Sequence, residues 1–281
     1  MSDRTLHPVD VNLLVGQYPF RHLPHPDPEV LVRVLAREGV GQGWVGHLPS
    51  AFHRDPAPGN RELYATLAAH APTLLPVPTI RPDWPGWERE LARAVDAGAP
   101  AVRAYPPQWG LPPGAPALVE LADACAGRGL ALLLTVRFED SRQRSHLDVA
   151  GDLQAAAVRE LVRASLAAVI VTAAGRDFIE EVHWGLTPRE RARLWWDVSW
   201  IWGPPDDHLA KLLRSIGADS FLFGTQWPLR LTQSPGANLA LLPDDLRATT
   251  LVDARTVVAR ARAALRMGEG ADRFPPGRPD E

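Results

Sequence analysis

Eight short apolar runs, each followed by a longer stretch with helical character, constrain this chain more than any other feature. The runs are Val9–Val15, Gly43–His47, Leu74–Ile80, Ala101–Tyr105, Ala131–Arg137, Ala168–Thr172, Leu194–Ser199 and Phe221–Gly224. Helical patterns lie between them, over Pro28–Glu38, Arg61–Ala71, Trp87–Ala97, Ala117–Arg128, Leu153–Ser165, Phe178–Trp184 and His208–Ile216, with a last one over Leu246–Met267. Strict alternation predicts a parallel sheet, because each parallel connection must cross over and a helix fills that crossover. Gly98 and Gly129 fall just past predicted helices, where a left-handed residue ends a helix. Eight repeats in 281 residues predict one α/β domain, a (β/α)8 TIM barrel. The barrel is expected over 1–267, and 268–281, rich in Pro, Gly and charge, is expected to be a flexible C-terminal tail.

Composition narrows the function classes. A formal net charge of −3 gives no case for nucleic-acid binding. One cysteine, Cys125, excludes an intrachain disulfide and a cysteine zinc site, and its helical context predicts a small core residue. The first ten residues hold no apolar run and no segment is apolar enough to span a membrane, so a cytoplasmic protein is expected. Lys211, the one lysine, sits mid-way along a predicted outer helix, which argues against a Schiff-base lysine or a carbamylated metal-bridging lysine.

In such barrels the chemistry sits at the C-terminal strand ends and in the loops that follow. Asp10, Asn12 and Leu14 alternate along the first run and are expected on one face. Asn12, Arg21, Arg103, Tyr105, Arg137, Gln226 and Trp227 are the candidate substrate-binding residues. Arginines gathered at one end suit a small anionic substrate, because guanidinium binds carboxylate bidentately; structural pairing with Asp55, Glu139, Asp140 and Asp197 is the competing role. His47, His53 and Asp197 are the candidate catalytic groups. Asp197, walled by Trp195, Trp196 and Trp200, is either a proton-transfer group of raised pKa or a buried structural carboxylate. His22 and His25 lie in a Pro-rich loop and are expected to be solvated. Loop aromatics Tyr18, Phe20, Trp109, Trp200, Trp202 and Trp227 predict an aromatic-lined pocket.

Six stretches, DVNLLVGQYPFR, GNREL, PAVRAYP, VRFEDSR, WDVSW and FGTQWP, resemble the amidohydrolase-2 branch of the amidohydrolase superfamily. The resemblance implies a TIM barrel and hydrolysis or decarboxylation of a small carboxylated or cyclic substrate. It also implies a metal held by a His-x-His pair on the first strand, histidines on the fifth and sixth, and an aspartate on the eighth. The matching positions here are Asn12 and Leu14, the ends TVR (Thr135–Arg137) and IVTAAG (Ile170–Gly175), and Gln226. Leucine cannot ligate, asparagine is a poor zinc ligand, and glutamine takes no proton near neutrality. The reading therefore expects no metal and no cofactor; a replacement set from His47, His53 and Asp197 is the alternative metal site. The resulting function is hydrolysis of an ester, lactone or amide of a small carboxylated substrate without metal. A decarboxylase of the same superfamily and a non-catalytic ligand- or partner-binding barrel stand as alternatives. A homodimer is an assembly this reading allows; a membrane partner is not expected.

Overall fold

The computed structural model describes residues 7–24 and 27–271. Eight parallel strands form the barrel wall: β1 His7–Val15, β2 Val40–His47, β3 Leu74–Pro76, β4 Ala101–Ala104, β5 Ala131–Thr135, β6 Ala168–Thr172, β7 Leu194–Asp197 and β8 Phe221–Leu222. β1–β2–β3 pair in order, as do β4 to β8. Two isolated parallel bridges join these arcs, Thr79 with Arg103 and Leu13 with Trp227. Backbone bonds reinforce both seams: Arg103 N donates to Pro78 O at 2.9 Å, and Leu14 N donates to Trp227 O at 2.8 Å. The ring is therefore closed, and no strand edge is left open to solvent.

The helices are α1 Pro28–Arg37, α2 Ala57–Leu67, α3 Trp87–Asp96, α4 Pro106–Trp109, α5 Pro116–Ala126, α6 Ala155–Ala164, α7 Arg176–Trp184, α8 Pro188–Arg191, α9 His208–Ser215, α10 Gln233–Ala240 and α11 Ala254–Ala271. Gly98 and Gly129 take φ of 69° and 63°, as a left-handed helix stop requires. α11 begins eight residues later than its sequence pattern, because Val252 bridges Leu222 of β8 and Asp253 then accepts from Arg255 N at the helix start. It runs on to Ala271, into the segment expected to be loose; residues 272–281, like His25, lie outside the described residues. Among the described residues no helix is long and apolar enough to cross a membrane.

Two apolar layers follow from the two-residue period of the strands. Leu132 and Leu134 of β5 join the layer between strands and helices, whereas Ala131 and Leu133 join an inner cluster with Val9, Val11, Trp44, Ala101, Ile170, Trp195 and Leu222. Ala254, Val257 and Val258 of α11 close this inner cluster from the N-terminal end of the barrel. Cys125 is wholly buried in the outer layer, where burial pushes its thiol up to about 12, so it is an inert packing group.

β1 departs from simple alternation. The pairing register with β2 shifts between Asp10 and Leu13. Val9 and Val11 pack in the inner cluster, so Asp10 between them does not face inward; it meets Thr225 beyond β8 instead. After the shift, Asn12 turns to the centre of the barrel. Asp10, Asn12 and Leu14 therefore do not share one face, and the bulge is the physical reason.

Candidate functional site at the barrel mouth

The lower interior is apolar and the upper layer is polar. Arg103, near the end of β4, extends its guanidinium across the barrel: Nη1 donates to Asn12 Oδ1 at 2.9 Å and to Thr135 Oγ1 at 3.4 Å, and Nη2 to Val11 O at 3.4 Å. Thr135 and Thr172 are hydroxyl partners at 3.0 Å. Asn12 Nδ2 donates to Asp197 Oδ2 at 2.7 Å, while Ala173 N (2.8 Å) and Ser199 Oγ (3.0 Å) donate to Asp197 Oδ1. Gln226 continues the chain upward: its Oε1 accepts from Trp200 Nε1, and its Nε2 donates to Arg137 O at 2.8 Å. Asn12, Arg103, Tyr105, Asp197 and Gln226 are all completely shielded from solvent.

Burial sets the electrostatics. It raises the Asp197 carboxyl above its ordinary range, against the three donors and the nearby Arg103 charge, which pull the other way. Asp10, also enclosed, is pushed up to about 7 by burial; Thr225 Oγ1 at 2.6 Å and the amides of Asn12 and Thr225 oppose the shift. Gly224 is what admits the Asp197 carboxylate: a Cβ there would stand 2.7 Å from Asp197 Oδ2.

Aromatic rings from four loops pack together at this end of the barrel. Tyr18 and Phe20 follow β1, Phe52 follows β2, Tyr105 follows β4 and Phe138 follows β5. They are linked by ring-centroid distances of 5.3 Å (Tyr18–Phe20, Phe20–Phe52, Tyr105–Phe138) and 5.2 Å (Phe52–Phe138). Of the aromatics expected to line a pocket, Tyr18 and Phe20 pack into this cluster, whereas Trp200 and Trp202 line an open cleft. The Tyr105 hydroxyl has Arg103 and Thr79 as its polar neighbours.

This cleft, of about 170 Å³, is lined by Arg21, Glu139, Asp140, Arg142, Trp200, Trp202 and Arg230 among others. Arg21 is paired with Glu139 at 2.5 Å and Arg142 with Asp140 at 2.8 Å. Arg230 differs. Its guanidinium lies 4.4 Å from the Trp200 ring centre and 4.9 Å from that of Trp202, and among the described residues it has no carboxylate at ion-pairing distance. Burial lowers its pKa from the usual arginine value.

The predicted residues therefore separate into groups. Asn12, Arg103, Asp197 and Gln226 form one bonded network, with Tyr105 beside it. Arg137 lies over Trp200 and pairs with Asp152 at 3.0 Å, and Arg21 stands on the rim. His47, His53 and Trp227 are not brought to the centre. His47 Nδ1 meets Ser50 Oγ at 2.8 Å, and its ring faces α2, where a Cβ on Gly59 would stand 2.4 Å from Nδ1. Burial lowers its pKa below the usual histidine value. His53 is exposed, and Trp227 packs on the outer layer. Sequence reading does not single out Thr225, although it lies in FGTQWP; Thr225 bonds Asp10, while Ser199, just past β7, bonds Asp197.

The residues present do not fit the metal that the resemblance implies. Asn12 Oδ1 is taken by Arg103, the fifth and sixth strands offer only threonine hydroxyls, and Gln226 Oε1 is taken by Trp200. Among the described residues no cluster of three His, Cys, Asp or Glu side chains is arranged to hold a metal ion, including the set His47, His53 and Asp197. A guanidinium stands among the very positions that would ligate.

No family model matches the sequence, and no curated protein matches it. Solved structures do. An amidohydrolase from Mycobacterium avium subsp. paratuberculosis K-10 aligns with a TM-score of 0.58 and 17% identity, over 83% of this chain and 74% of that one. A 2,6-dihydroxybenzoate decarboxylase from Rhizobium aligns at 0.62 and 14%, over 94% and 99%. A 5-carboxyvanillate decarboxylase from Sphingomonas paucimobilis aligns at 0.62 and 14%, over 91% and 98%. What is shared at these identities is the architecture: this chain has the (β/α)8 barrel fold of these structures.

Proposed function

We propose that this chain is a divergent member of the amidohydrolase superfamily that binds a small carboxylate at its mouth, with no metal in the barrel. The observation that carries this reading is Arg103. Its guanidinium supplies the positive charge that a metal would supply, and it is already bonded to Asn12 and Thr135. The interior is thereby filled, since Asp197 and Arg103 are fully enclosed. Arg230 in the mouth cleft, stacked on Trp200 and Trp202, is the cation left for a ligand. One structure of this fold is a decarboxylase complexed with 2,6-dihydroxybenzoate, itself a small carboxylate.

A second reading keeps catalysis: metal-free hydrolysis of an ester, lactone or amide, or decarboxylation, through Asp197. The raised pKa of a carboxyl buried beneath Trp200 and Gln226 favours it, because a proton-transfer group near neutrality needs such a shift. Water and substrate would have to reach a carboxyl that is fully enclosed.

The test is thermal denaturation against aromatic and aliphatic carboxylates, lactones and the neutral amides of the same acids. A carboxylate at about 100 times its dissociation constant adds roughly 2.7 kcal/mol to stability. The expected result is a rise with anions only, abolished by Arg230→Met. Equal shifts with neutral amides, or an unchanged response in Arg230→Met, refute the anion site. Turnover of any lactone, ester or carboxylate that Asp197→Asn abolishes establishes the second reading over the first.

A further inference from the structure

A second unfilled space lies at the opposite end of the barrel from the mouth. A cavity of about 420 Å³ opens between α11 and the N-terminal ends of β2, β3 and β4, a volume in the range of small-molecule sites. Trp44, Leu75, Pro100 and Val258 make an apolar floor, and Arg255, Arg262 and Arg266 stand on its rim. Among the described residues no acidic side chain lines it. Arg255 is paired with Asp253, whereas Arg262 and Arg266 have no carboxylate partner among the described residues. The stem of Arg262 is held in place: it lies against Gly129, where a Cβ would come within 2.7 Å of Arg262 Cγ. Trp44 is 1% exposed, and its indole N–H has no acceptor among the described residues, an arrangement that is costly for a buried donor.

An apolar floor and a cationic rim together describe one ligand chemistry. We propose that this cavity binds an anionic amphiphile, a single apolar chain lying over Trp44, Leu75 and Val258 with its carboxylate against Arg262 and Arg266. The apolar part gains by leaving water, and the head group gives two guanidinium groups an anion. Bound there, the ligand ties α11 to β2 and β3, so binding adds to the stability of the fold. The site is independent of the mouth, and the function proposed there does not enter the argument.

Decanoate is the probe, measured by titration calorimetry and thermal denaturation on the full chain below its micellar concentration, with decanol as the uncharged control. The expected result is one-to-one binding of decanoate, a raised melting temperature and a weaker response to decanol. Arg262→Ser with Arg266→Ser, both on the exposed side of α11, should weaken decanoate by at least about tenfold, because both guanidinium partners of its carboxylate are removed. Ala259→Trp, which projects a ring into the cavity from an exposed helix position, should abolish it. No binding, equal binding of decanol, or binding that neither variant changes overturns the proposal.

Discussion

Arg103→Met isolates the central claim about the barrel interior. Sequence reasoning makes Arg103 a ligand-binding arginine, whose loss would spare the fold. Its fully enclosed guanidinium, bonded to Asn12, Thr135 and the Val11 carbonyl, predicts instead that the fold itself depends on it. Methionine fills much of the stem but leaves Asn12 Oδ1 without its donor and removes the positive charge facing Asp197. Arg103 and Asp197 are linked through Asn12 rather than directly paired. Leaving one buried charge without its compensating partner typically costs about 3–5 kcal/mol, and for a domain of this size each kcal/mol moves the melting temperature by about 2–4 °C. The expected drop is therefore roughly 6–20 °C, read by calorimetry and by urea denaturation. The sign of its pH dependence follows from Asp197. A carboxyl whose folded pKa is raised above its unfolded value stabilises the fold most when protonated, and that advantage is lost as pH rises through the folded pKa. Without Arg103 the ionised form is worse still, so the defect should be smaller at acid pH than above neutrality. Adding Asp197→Asn removes the stranded charge, and the double variant should lose less than the two single losses summed. A loss below about 1 kcal/mol, or strict additivity, refutes the account of a guanidinium that holds the barrel centre.

Other consequences follow from the same layer. Asp10, with a folded pKa of about 7, should make stability fall as pH rises from the ordinary carboxylate range to neutrality, and Asp10→Asn should flatten that slope in pH-resolved urea melts. An increase in stability over that range would reject the assignment. Gly224→Ala places a methyl 2.7 Å from Asp197 Oδ2 and should destabilise by about 1–3 kcal/mol without altering the far-ultraviolet spectrum. Elemental analysis of dialysed protein should find no stoichiometric zinc or manganese, because Asn12 and Gln226 already spend their oxygens on Arg103 and Trp200. About one tightly held metal per chain would contradict that.

The sequence by itself determined the barrel. Period-two apolar runs separated by helix-length segments admit few other folds, and the resulting strands match the expected runs closely, down to Ala168–Thr172 residue for residue. It also marked Asn12, Arg103, Asp197 and Gln226, because strand ends in a parallel barrel converge whatever their side chains. The tertiary structure decided what those residues do to one another. A bulge in β1 sends Asp10 to Thr225 and Asn12 to the centre, and no local pattern announces a bulge. His47, adjacent to the mouth in sequence, faces α2 because its strand parity points outward and Gly59 makes room for it. Whether arginines and aromatics at the mouth line a pocket or fill it depends on side-chain reach across the ring, a distance between residues about ninety or more positions apart, such as Arg103 and Asn12. Periodicity fixes which way a side chain points from its own backbone; only closure of the ring fixes what it meets there.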